Sequence, residues 1–163
     1  MTAPDLDIRA ATAADVATLA TFATAMALET ENKRLDIATV TRGIERVLAE
    51  PAHGRYLVAA QAGNVVGTLM LTYEWSDWRC ADWWWIQSVY VAKEARRQGV
   101  YAAMYRHVLA EIDGRRDVCG LRLYVESENH RAQKTYEGLG MERSHYHQYE
   151  YAQPWLSEVI NTR

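Results

Sequence analysis

The sequence predicts a single α/β domain in which helices flank a mixed, mostly antiparallel sheet. The first observation is size, since 163 residues match one domain and suffice to bury a core. The second is composition, because 49% hydrophobic and 24% charged residues are typical of a globular protein. The third is the alternation of strand and helix periodicities along the chain, which shows no repeat, low-complexity stretch or linker. Residues 1–163 are therefore predicted to form one domain.

The N-terminal part of the chain predicts one strand followed by two helices. A short strand lies around Ile8, and Thr12 with Asp15 resembles the capping box that starts a helix. Apolar residues at helical spacing then predict an amphipathic helix over residues 13–28. A polar break follows, and a second helical pattern ends at Pro51 because proline cannot continue a helix.

The rest of the chain predicts six further strands and two helices. In chain order these elements are the hairpin of YLVAA and VVGTLMLTYEW, the strand WWWIQSVYV, a helix from Val100 to about Gly114, the strand CGLRLYVE, a short helix over 130–138, and a final hairpin in MERSHYHQYEYA. The passage from WWWIQSVYV through a helix to CGLRLYVE predicts a parallel strand pair with the helix packed on the sheet.

Charge and hydropathy exclude several classes of function. A net charge of −3 and an isoelectric point of about 6.0 provide no basic surface for nucleic acid or an anionic membrane. No apolar run approaches the roughly 18 residues of a membrane span, and the N-terminus lacks the pattern of a signal peptide. Cys80 and Cys119 are too few for a disulfide framework. We therefore expect a cytoplasmic protein without nucleic-acid or membrane partners.

An anion site is predicted where a strand meets a helix, in the stretch VYVAKEARRQGVYAAMY. The start of a helix exposes unpaired N–H groups and the positive end of the helix dipole, which together suit a phosphate. Gly99 allows close approach of the backbone, and Arg96 and Arg97 add positive charge. Neither a P-loop nor a dinucleotide site explains the stretch, because no Gly-Lys-Ser/Thr follows and no G-x-G-x-x-G is present.

Two segments resemble the signatures of the GCN5-related N-acetyltransferases, the GNAT superfamily. Arg96–Tyr101 resembles the R/Q-x-x-G-x-G/A signature. Asn129–Met141 resembles the second signature, in which Asn-x-x-Ala opens a short helix that carries a tyrosine. The predicted order of elements matches the family as well, so the resemblance covers nearly the whole chain. One position departs from the pattern, because Tyr101 stands where the family usually has glycine or alanine; its side chain fits if it points away from the phosphates.

The resemblance implies an acetyl-CoA-dependent enzyme and assigns its cofactor residues. The first signature would bind the pyrophosphate, and the main chain of the preceding strand would pair with the pantetheine arm. The central parallel strands would splay apart, which leaves N–H groups for the cofactor amides and the thioester carbonyl. Tyr136 would protonate the departing thiolate. The implied cofactor-binding residues are Val89, Tyr90, Val91, Arg96, Arg97, Gln98, Gly99, Val100, Tyr101, Asn129, Ala132 and Tyr136.

The general base is not evident on the strand where the family often carries glutamate or histidine. Trp85 and Gln87 occupy that strand here, and neither side chain can take a proton. Glu74 on the adjoining strand and Glu29 or Glu31 in the loop after the first helix are the candidate carboxylates. A water chain is the alternative.

Two loops predict an acceptor site for a small cationic amine. They combine carboxylates with tryptophans, and both groups attract a cation, through charge and through cation–π contact. An alternative explanation is that the tryptophans pack in the sheet while the acids are solvated. The predicted acceptor-binding residues are Glu29, Glu31, Trp75, Trp78 and Gln87.

Other functions remain compatible with the residues. The acceptor could be an amine of a protein or peptide, or the chain could be a non-catalytic coenzyme A-binding sensor; the lack of an ionisable residue before the first signature favours the sensor, and Tyr136 disfavours it. His145 and His147 are better explained by an exposed hairpin than by a metal site, so no metal is expected. Trp155 and the apolar C-terminal stretch suggest a homodimer, as family members often form.

Overall fold

Five α-helices and seven strands lie within residues 5–162, which are the residues that the computed structural model describes. The helices are α1 (Val16–Glu31), α2 (Ile37–Ala49), α3 (Val100–Ile112), α4 (His130–Gly138) and α5 (Leu156–Val159). The strands are β1 (Asp7–Ala10), β2 (Lys33–Leu35), β3 (Arg55–Gln61), β4 (Asn64–Ser76), β5 (Ala81–Val91), β6 (Val118–Arg122) and β7 (Ile160–Thr162). None of the described helices is long and apolar enough to cross a membrane.

Five strands form the main sheet, in the order β1-β3-β4-β5-β6. Neighbouring strands are antiparallel except β5 and β6, which run parallel and are connected through α3. A separate antiparallel pair is formed by β2 and β7. The predicted α/β class, with a mixed and mostly antiparallel sheet that contains one parallel pair, is confirmed. The parallel pair lies at one edge of the sheet rather than at its centre, because no strand pairs with the far side of β6 among the described residues.

The two faces of the sheet are covered by different helices, because side chains alternate along each strand. On one face, α3 packs against the sheet, and its Met104 is fully buried in the same cluster as Trp84. On the other face, Leu19 of α1 and Ile44 of α2 pack in a cluster with Val58 of β3. The sheet therefore separates two hydrophobic layers.

Three consecutive tryptophans in β5 alternate between these faces, as expected for sheet packing. Trp84 is only 6% exposed and packs on the α3 side. Trp83 and Trp85 project to the opposite face, where their strand partners on β4 are Glu74 and Thr72. This alternation brings Glu74 and Trp85 onto one surface.

The first helix begins with the predicted capping box. The backbone N–H of Thr12 donates to the Asp15 carboxylate at 2.7 Å, and the Thr12 side chain accepts from the backbone N–H of Asp15. Residues 13–15 form one 3-10 turn, so the regular α-helix starts at Val16 rather than at 13. The second helix ends just before Pro51, as predicted.

The predicted final hairpin is wrong, because residues 141–152 contain no strand. The segment has the alternation of a half-buried strand, yet every residue from 142 to 152 is exposed, and Tyr149 and Tyr151 reach 92% and 87% exposure. A period of two produces a strand only where one face is buried and a neighbouring backbone completes the ladder. Neither condition holds along this segment.

Two other strands differ from the prediction. The polar break after the first helix contains β2, whose partner β7 lies near the end of the chain, so the break alone carries no sign of the pairing. β6 stops at Arg122, although the alternation continues to Glu126, because its pairing with β5 ends there. Strand length is therefore decided by the neighbouring strand rather than by local pattern.

Candidate active site

The strands β5 and β6 pair over only part of their length, which opens a gap between the last two strands of the main sheet. Their parallel register runs from Asp82 opposite Val118 to Trp85 opposite Arg122. Beyond the last pair β5 continues to Val91, and this edge has no strand partner in the described part of the chain. Backbone groups on such an edge remain available to a ligand. This is the gap expected between the parallel strands.

A β-bulge bends β5 along this free edge. The pairing with β4 shifts there, so that Ser88 and Val89 both lie opposite Leu69. Ser88 has a φ of +49°, in the left-handed region that costs a residue other than glycine about 1–2 kcal/mol. Strain of this kind persists where the surrounding structure enforces it, and it is concentrated at functional sites.

The loop from Arg96 to Gly99 leads directly into α3, which begins at Val100. Gly99 precedes the helix with a φ of +78°, and Arg97 has a φ of +65°. Left-handed residues within a turn can direct neighbouring N–H groups into an anion-binding concavity. A Cβ atom at Gly99 would meet nothing within 4 Å, so the space in front of the helix N-terminus is open.

Two side chains fix this loop, one to the end of β5 and one to the turn that follows it. Arg96 donates from Nε to the Val91 carbonyl at 2.9 Å, and Gln98 donates from Nε2 to the Glu94 carbonyl at 2.8 Å. The guanidinium of Arg96 also lies over the Tyr90 ring, 5.3 Å from its centroid. The loop is therefore held in shape by protein contacts alone.

Close packing at Gly67 sets the position of the α3 N-terminus. A Cβ atom on Gly67 would lie 2.8 Å from Cγ1 of Val100 and 3.2 Å from Cε of Met104. Only glycine lets the first turn of α3 rest directly on β4 without displacement. The loop that precedes α3 is consequently placed beside the free edge of β5.

Glu29, predicted as a base and as an acceptor-binding residue, contacts the first signature. Its Oε2 lies 2.8 Å from Nη2 of Arg96, and its Oε1 accepts from the Tyr90 hydroxyl at 2.9 Å and lies 3.4 Å from Nζ of Lys93. The hydrogen bond from Arg96 is the main cause that lowers the pKa of Glu29, and Tyr90 and Lys93 act in the same direction. A carboxylate with a lowered pKa is a weaker proton acceptor.

The second signature opens α4 in the way the resemblance implies. The Asn129 side chain caps the helix by accepting from the Ala132 N–H at 3.1 Å. Tyr136 lies on the same helix, and burial raises the pKa of its hydroxyl. A raised pKa keeps the phenol protonated near neutral pH, which is the state that a proton donor requires.

Tyr101 points into the protein interior. Its ring packs against the cluster beneath α3, and burial raises the pKa of its hydroxyl. That hydroxyl has no hydrogen-bond partner within the residues that the structure describes. The tyrosine that replaces the family's small residue is thus accommodated in the core, where its side chain does not narrow the loop.

A cleft of about 340 Å³ opens on the sheet face that carries Trp85. Within it, the Glu74 carboxylate accepts a hydrogen bond from Nε1 of Trp85 and pairs with Nη1 of Arg122 at 3.0 Å. The Tyr124 ring lies 6.0 Å from the Trp85 ring, centroid to centroid. The cleft is lined by Tyr73, Glu74, Trp85, Gln87, Tyr124 and Gln148.

Four of the predicted acceptor residues lie outside the lining of this cleft, and one of them is Glu29, which contacts the first signature. Glu29 and Glu31 lie within α1, not in a loop after it as predicted, because the helix continues to Glu31. Glu31 pairs with Lys33, at 2.5 Å between Oε2 and Nζ. Trp75 and Trp78 are 61% and 85% exposed near the turn between β4 and β5. Of the predicted acceptor residues, only Gln87 lines the cleft, together with the candidate base Glu74.

Sequence reasoning did not assign four of the lining residues to the site: Tyr73, Trp85, Tyr124 and Gln148. Tyr124 could have been found, because Leu123 and Val125 face inward in the predicted alternation and Tyr124 between them must face the other way. Nothing local marks Gln148, which lies in the segment wrongly predicted as a hairpin.

A larger cleft of about 580 Å³ lies on the α3 side of the sheet. Arg55 pairs there with Glu111, and the guanidinium groups of Arg55 and Arg115 each lie 5.1 Å from the centroid of the Trp84 ring. None of its lining residues belongs to either signature or to the free edge of β5. We therefore take the smaller cleft as the candidate active site.

The residues present fit coenzyme A on two counts. The open space in front of Gly99, beside two arginines and a helix N-terminus, suits a diphosphate. The free edge of β5 suits an extended chain of amides, which can pair with a strand edge. Over residues 5–162, no three histidine, cysteine, aspartate or glutamate side chains are grouped as metal ligands would be.

The parting of the parallel strands, the open loop before α3 and the capped start of α4 point to the acetyltransferase class. The sequence model of the acetyltransferase (GNAT) family matches residues 20–141, and the chain belongs to that family. Members generally use acetyl-CoA as co-substrate, and the chain is an N-acetyltransferase. No curated protein gives a significant match.

Solved structures similar to the chain include a possible acetyltransferase from Clostridium difficile 630, at 42% identity and a TM-score of 0.85, covering 91% of this chain and 97% of that one. A ribosomal-protein-alanine N-acetyltransferase from Brucella melitensis biovar Abortus 2308 shares 21% identity with a TM-score of 0.72, covering 91% and 99%. An aminoglycoside acetyltransferase from an uncultured soil metagenomic sample shares 22% identity with a TM-score of 0.69, with the same coverage. The last two likenesses concern the fold alone.

Proposed function

We propose that the chain transfers the acetyl group of acetyl-CoA to the primary amine of a small cationic molecule. The observation that carries this proposal is the cleft in which the Glu74 carboxylate lies beside the rings of Trp85 and Tyr124. A carboxylate attracts an ammonium group, and aromatic faces add cation–π attraction. Although Glu74 is paired with Arg122, its side chain is 46% exposed, so an incoming ammonium can reach it.

The first signature and the free edge of β5 would hold the co-substrate. The N–H groups at the start of α3, with Arg96 and Arg97, would bind the diphosphate by charge and hydrogen bonding. The unpaired edge between Ile86 and Val91 would bind the amide arm and orient the thioester. Acetyl-CoA supplies the activated acetyl group when it is bound.

Proton transfer would be divided between Glu74 and Tyr136. A bound ammonium must lose a proton before its nitrogen can attack, and Glu74 is the carboxylate that lines the cleft. Glu29 is the weaker candidate for this role, because it lies outside the lining of the cleft and both of its carboxylate oxygens are engaged by Arg96, Tyr90 and Lys93. Tyr136, which stays protonated, would deliver a proton to the departing sulfur.

A panel of acceptors tests the proposal directly. The purified full chain is incubated with acetyl-CoA and polyamines, aryl-alkyl amines, neutral amines, amino acids or a peptide, and release of the free thiol is measured. We expect small cationic amines to give the highest kcat/KM, and added salt to raise their KM by screening the cleft charge. Faster transfer to neutral or anionic acceptors, or to the peptide, would contradict the choice of acceptor. Binding of acetyl-CoA without transfer to any of them would favour the sensor alternative.

The role of Glu74 is tested by Glu74→Gln, with Glu50→Gln as the matched control. Glu50 also forms an ion pair, with Arg46 on α2, but it contacts neither the cleft nor the loop before α3. Loss of a base lowers kcat, whereas loss of an attracting charge mainly raises KM for the amine. If Glu74→Gln behaves like Glu50→Gln, then Glu74 has neither role.

A further inference from the structure

The Glu29 carboxylate joins three groups that come from other parts of the chain. It pairs with Arg96 of the loop before α3, accepts from the hydroxyl of Tyr90 at the end of β5, and lies near the ammonium of Lys93. Both carboxylate oxygens are engaged, and the side chain is only 27% exposed. Glu29 itself lies near the C-terminal end of α1. A single side chain therefore links α1 to the free strand edge and to the anion-binding loop.

The Arg96 guanidinium is held at two points of its rigid fork. Its Nε donates to the Val91 carbonyl at 2.9 Å, and its Nη2 donates to Glu29 at 2.8 Å. A guanidinium has five N–H donors in one plane, so two anchors fix its orientation and leave the Nη1 group for an anion. Without Glu29, the guanidinium would retain one hydrogen-bond anchor, at its Nε atom, and its contact with the Tyr90 ring.

Helix α1 also fixes Tyr90, the residue whose ring lies beneath the Arg96 guanidinium. Phe22 of α1 packs against Tyr90 with 4.9 Å between ring centroids, and Arg96 lies over the Tyr90 ring. Tyr90 is thus held between Phe22 and Arg96 while its hydroxyl donates to Glu29. These contacts form one connected set that spans 67 residues of sequence between Glu29 and Arg96.

We propose that Glu29 is a positioning residue of the coenzyme A site: its carboxylate holds Arg96 in the orientation that receives the diphosphate. This inference rests on the proposed function, because it takes the loop before α3 as the diphosphate site. It assigns Glu29 to cofactor binding, in place of a role as base or acceptor ligand. A preoriented arginine binds an anion without first losing its rotamer freedom.

The change in acetyl-CoA affinity when the Glu29 carboxylate is removed tests the inference, because charge repulsion alone predicts a change of the opposite sign. A carboxylate beside an anion site repels the anion, so its removal should strengthen binding if charge dominates. If positioning dominates, its removal should weaken binding, since a mobile Arg96 must be ordered by the ligand. The sign of the change in affinity therefore decides between the two.

The experiment compares Glu29→Gln with the unmodified full chain. Calorimetric titration with acetyl-CoA and steady-state kinetics are measured, with Glu50→Gln as the control and thermal melting as the check of folding. We expect the Kd and KM for acetyl-CoA to rise roughly 5- to 10-fold, the scale set by ordering one arginine side chain. The kcat at saturating acetyl-CoA and the KM for the amine should stay unchanged.

A double-mutant cycle distinguishes positioning of Arg96 from a general structural role of Glu29. Glu29→Gln should add little to Arg96→Ala, because the carboxylate acts through the guanidinium. Tyr90→Phe removes one donor to Glu29 while keeping the ring, and it should give a smaller loss in the same direction. This variant also keeps the test valid if Glu29→Gln melts early.

Three results would overturn the inference. Tighter binding in Glu29→Gln would show that charge dominates, a fall in kcat with unchanged Kd would restore Glu29 as a base, and additivity with Arg96→Ala would show independent action. Failure of the proposed function looks different, because the unmodified chain would then bind no acetyl-CoA or acetylate no amine.

Discussion

The rings of Tyr101 and Tyr136 meet edge-on, with 5.6 Å between their centroids and 70° between their planes. Tyr101 comes from the first turn of α3, and Tyr136 comes from α4, so the contact joins the two signature segments. Edge-to-face packing orients both rings and contributes roughly 0.5–1.5 kcal/mol. The position at which the chain departs from the family's small residue thus supports the tyrosine proposed as the proton donor.

Replacing Tyr136 with phenylalanine should lower turnover while leaving cofactor binding intact. The substitution keeps the ring that packs against Tyr101 and deletes only the hydroxyl. If that hydroxyl protonates the departing thiolate, kcat should fall by about 100-fold or more. The kcat and the Kd for acetyl-CoA are measured on the same preparation. Full activity in Tyr136→Phe would show that another group or water delivers the proton.

Replacing Tyr101 with phenylalanine should stabilise the protein. The Tyr101 hydroxyl lies buried with no hydrogen-bond partner among the described residues, and an unsatisfied buried group costs about 1–3 kcal/mol. Tyr101→Phe removes that group and retains the edge-on contact with Tyr136. The free energy of unfolding in urea should rise by about 1 kcal/mol. A free energy of unfolding below that of the unmodified chain would mean that the Tyr101 hydroxyl has a hydrogen-bond partner in solution.

Two glycines at opposite ends of α3 separate backbone strain from anion binding. Gly99 and Gly114 have φ values of +78° and +72°, and a Cβ atom at either position would meet nothing within 4 Å. Each substitution by alanine should therefore cost about 1–2 kcal/mol of stability through strain alone. Only Gly99→Ala should also weaken binding of acetyl-CoA, as measured by calorimetric titration. Equal binding of acetyl-CoA by both variants would show that the diphosphate does not bind at the N-terminus of α3.

The pair of Arg9 and Asp15 should make stability depend on pH in acid. Asp15 is 5% exposed, and the hydrogen bond from Arg9, at 2.8 Å, is the main cause that lowers its pKa from 3.8 to about 2. A lowered folded-state pKa stabilises the protein above the unfolded-state value and loses that effect as the pH falls from about 4 to 2. The contribution at neutral pH is about 2 kcal/mol.

The variant Asp15→Asn measures this contribution. We expect the variant to be less stable than the unmodified chain by about 2 kcal/mol at pH 7, and the difference to shrink as the pH falls through the window. Urea unfolding at a series of pH values provides the comparison. A constant difference between pH 7 and pH 2 would show that the carboxylate charge is not the source of stability.

Local patterns predicted most of the elements and the cofactor loop. Asp15 closes the capping box with Thr12, Asn129 caps α4, and Gly99 allows the left-handed turn that opens α3; the first two contacts span three residues. Such interactions involve neighbours in the chain, so their residue types and spacing already specify them. Alternation likewise placed Trp84 on one face and Trp85 on the other.

The same reasoning failed where a distant partner decides the outcome. The segment 141–152 has a strand pattern, but hydrogen bonds from another strand are needed to make it one, and none is formed there. Conversely, β2 lies in a polar break that showed no strand pattern, and it exists because β7 pairs with it. Ladder formation is a property of two segments, and a single segment carries only half of the information.

By itself, then, the sequence determined the α/β class, the family and the loop that would bind a diphosphate, because periodicity, caps and glycine conformations act over a few residues. Only the tertiary structure decided that Glu29 pairs with Arg96, 67 residues away, and that Glu74, Tyr124 and Gln148 meet in one cleft. Those contacts depend on how far apart and at what angle the sheet and helices pack. Distances of that kind are set by the whole core and by no local pattern of residues.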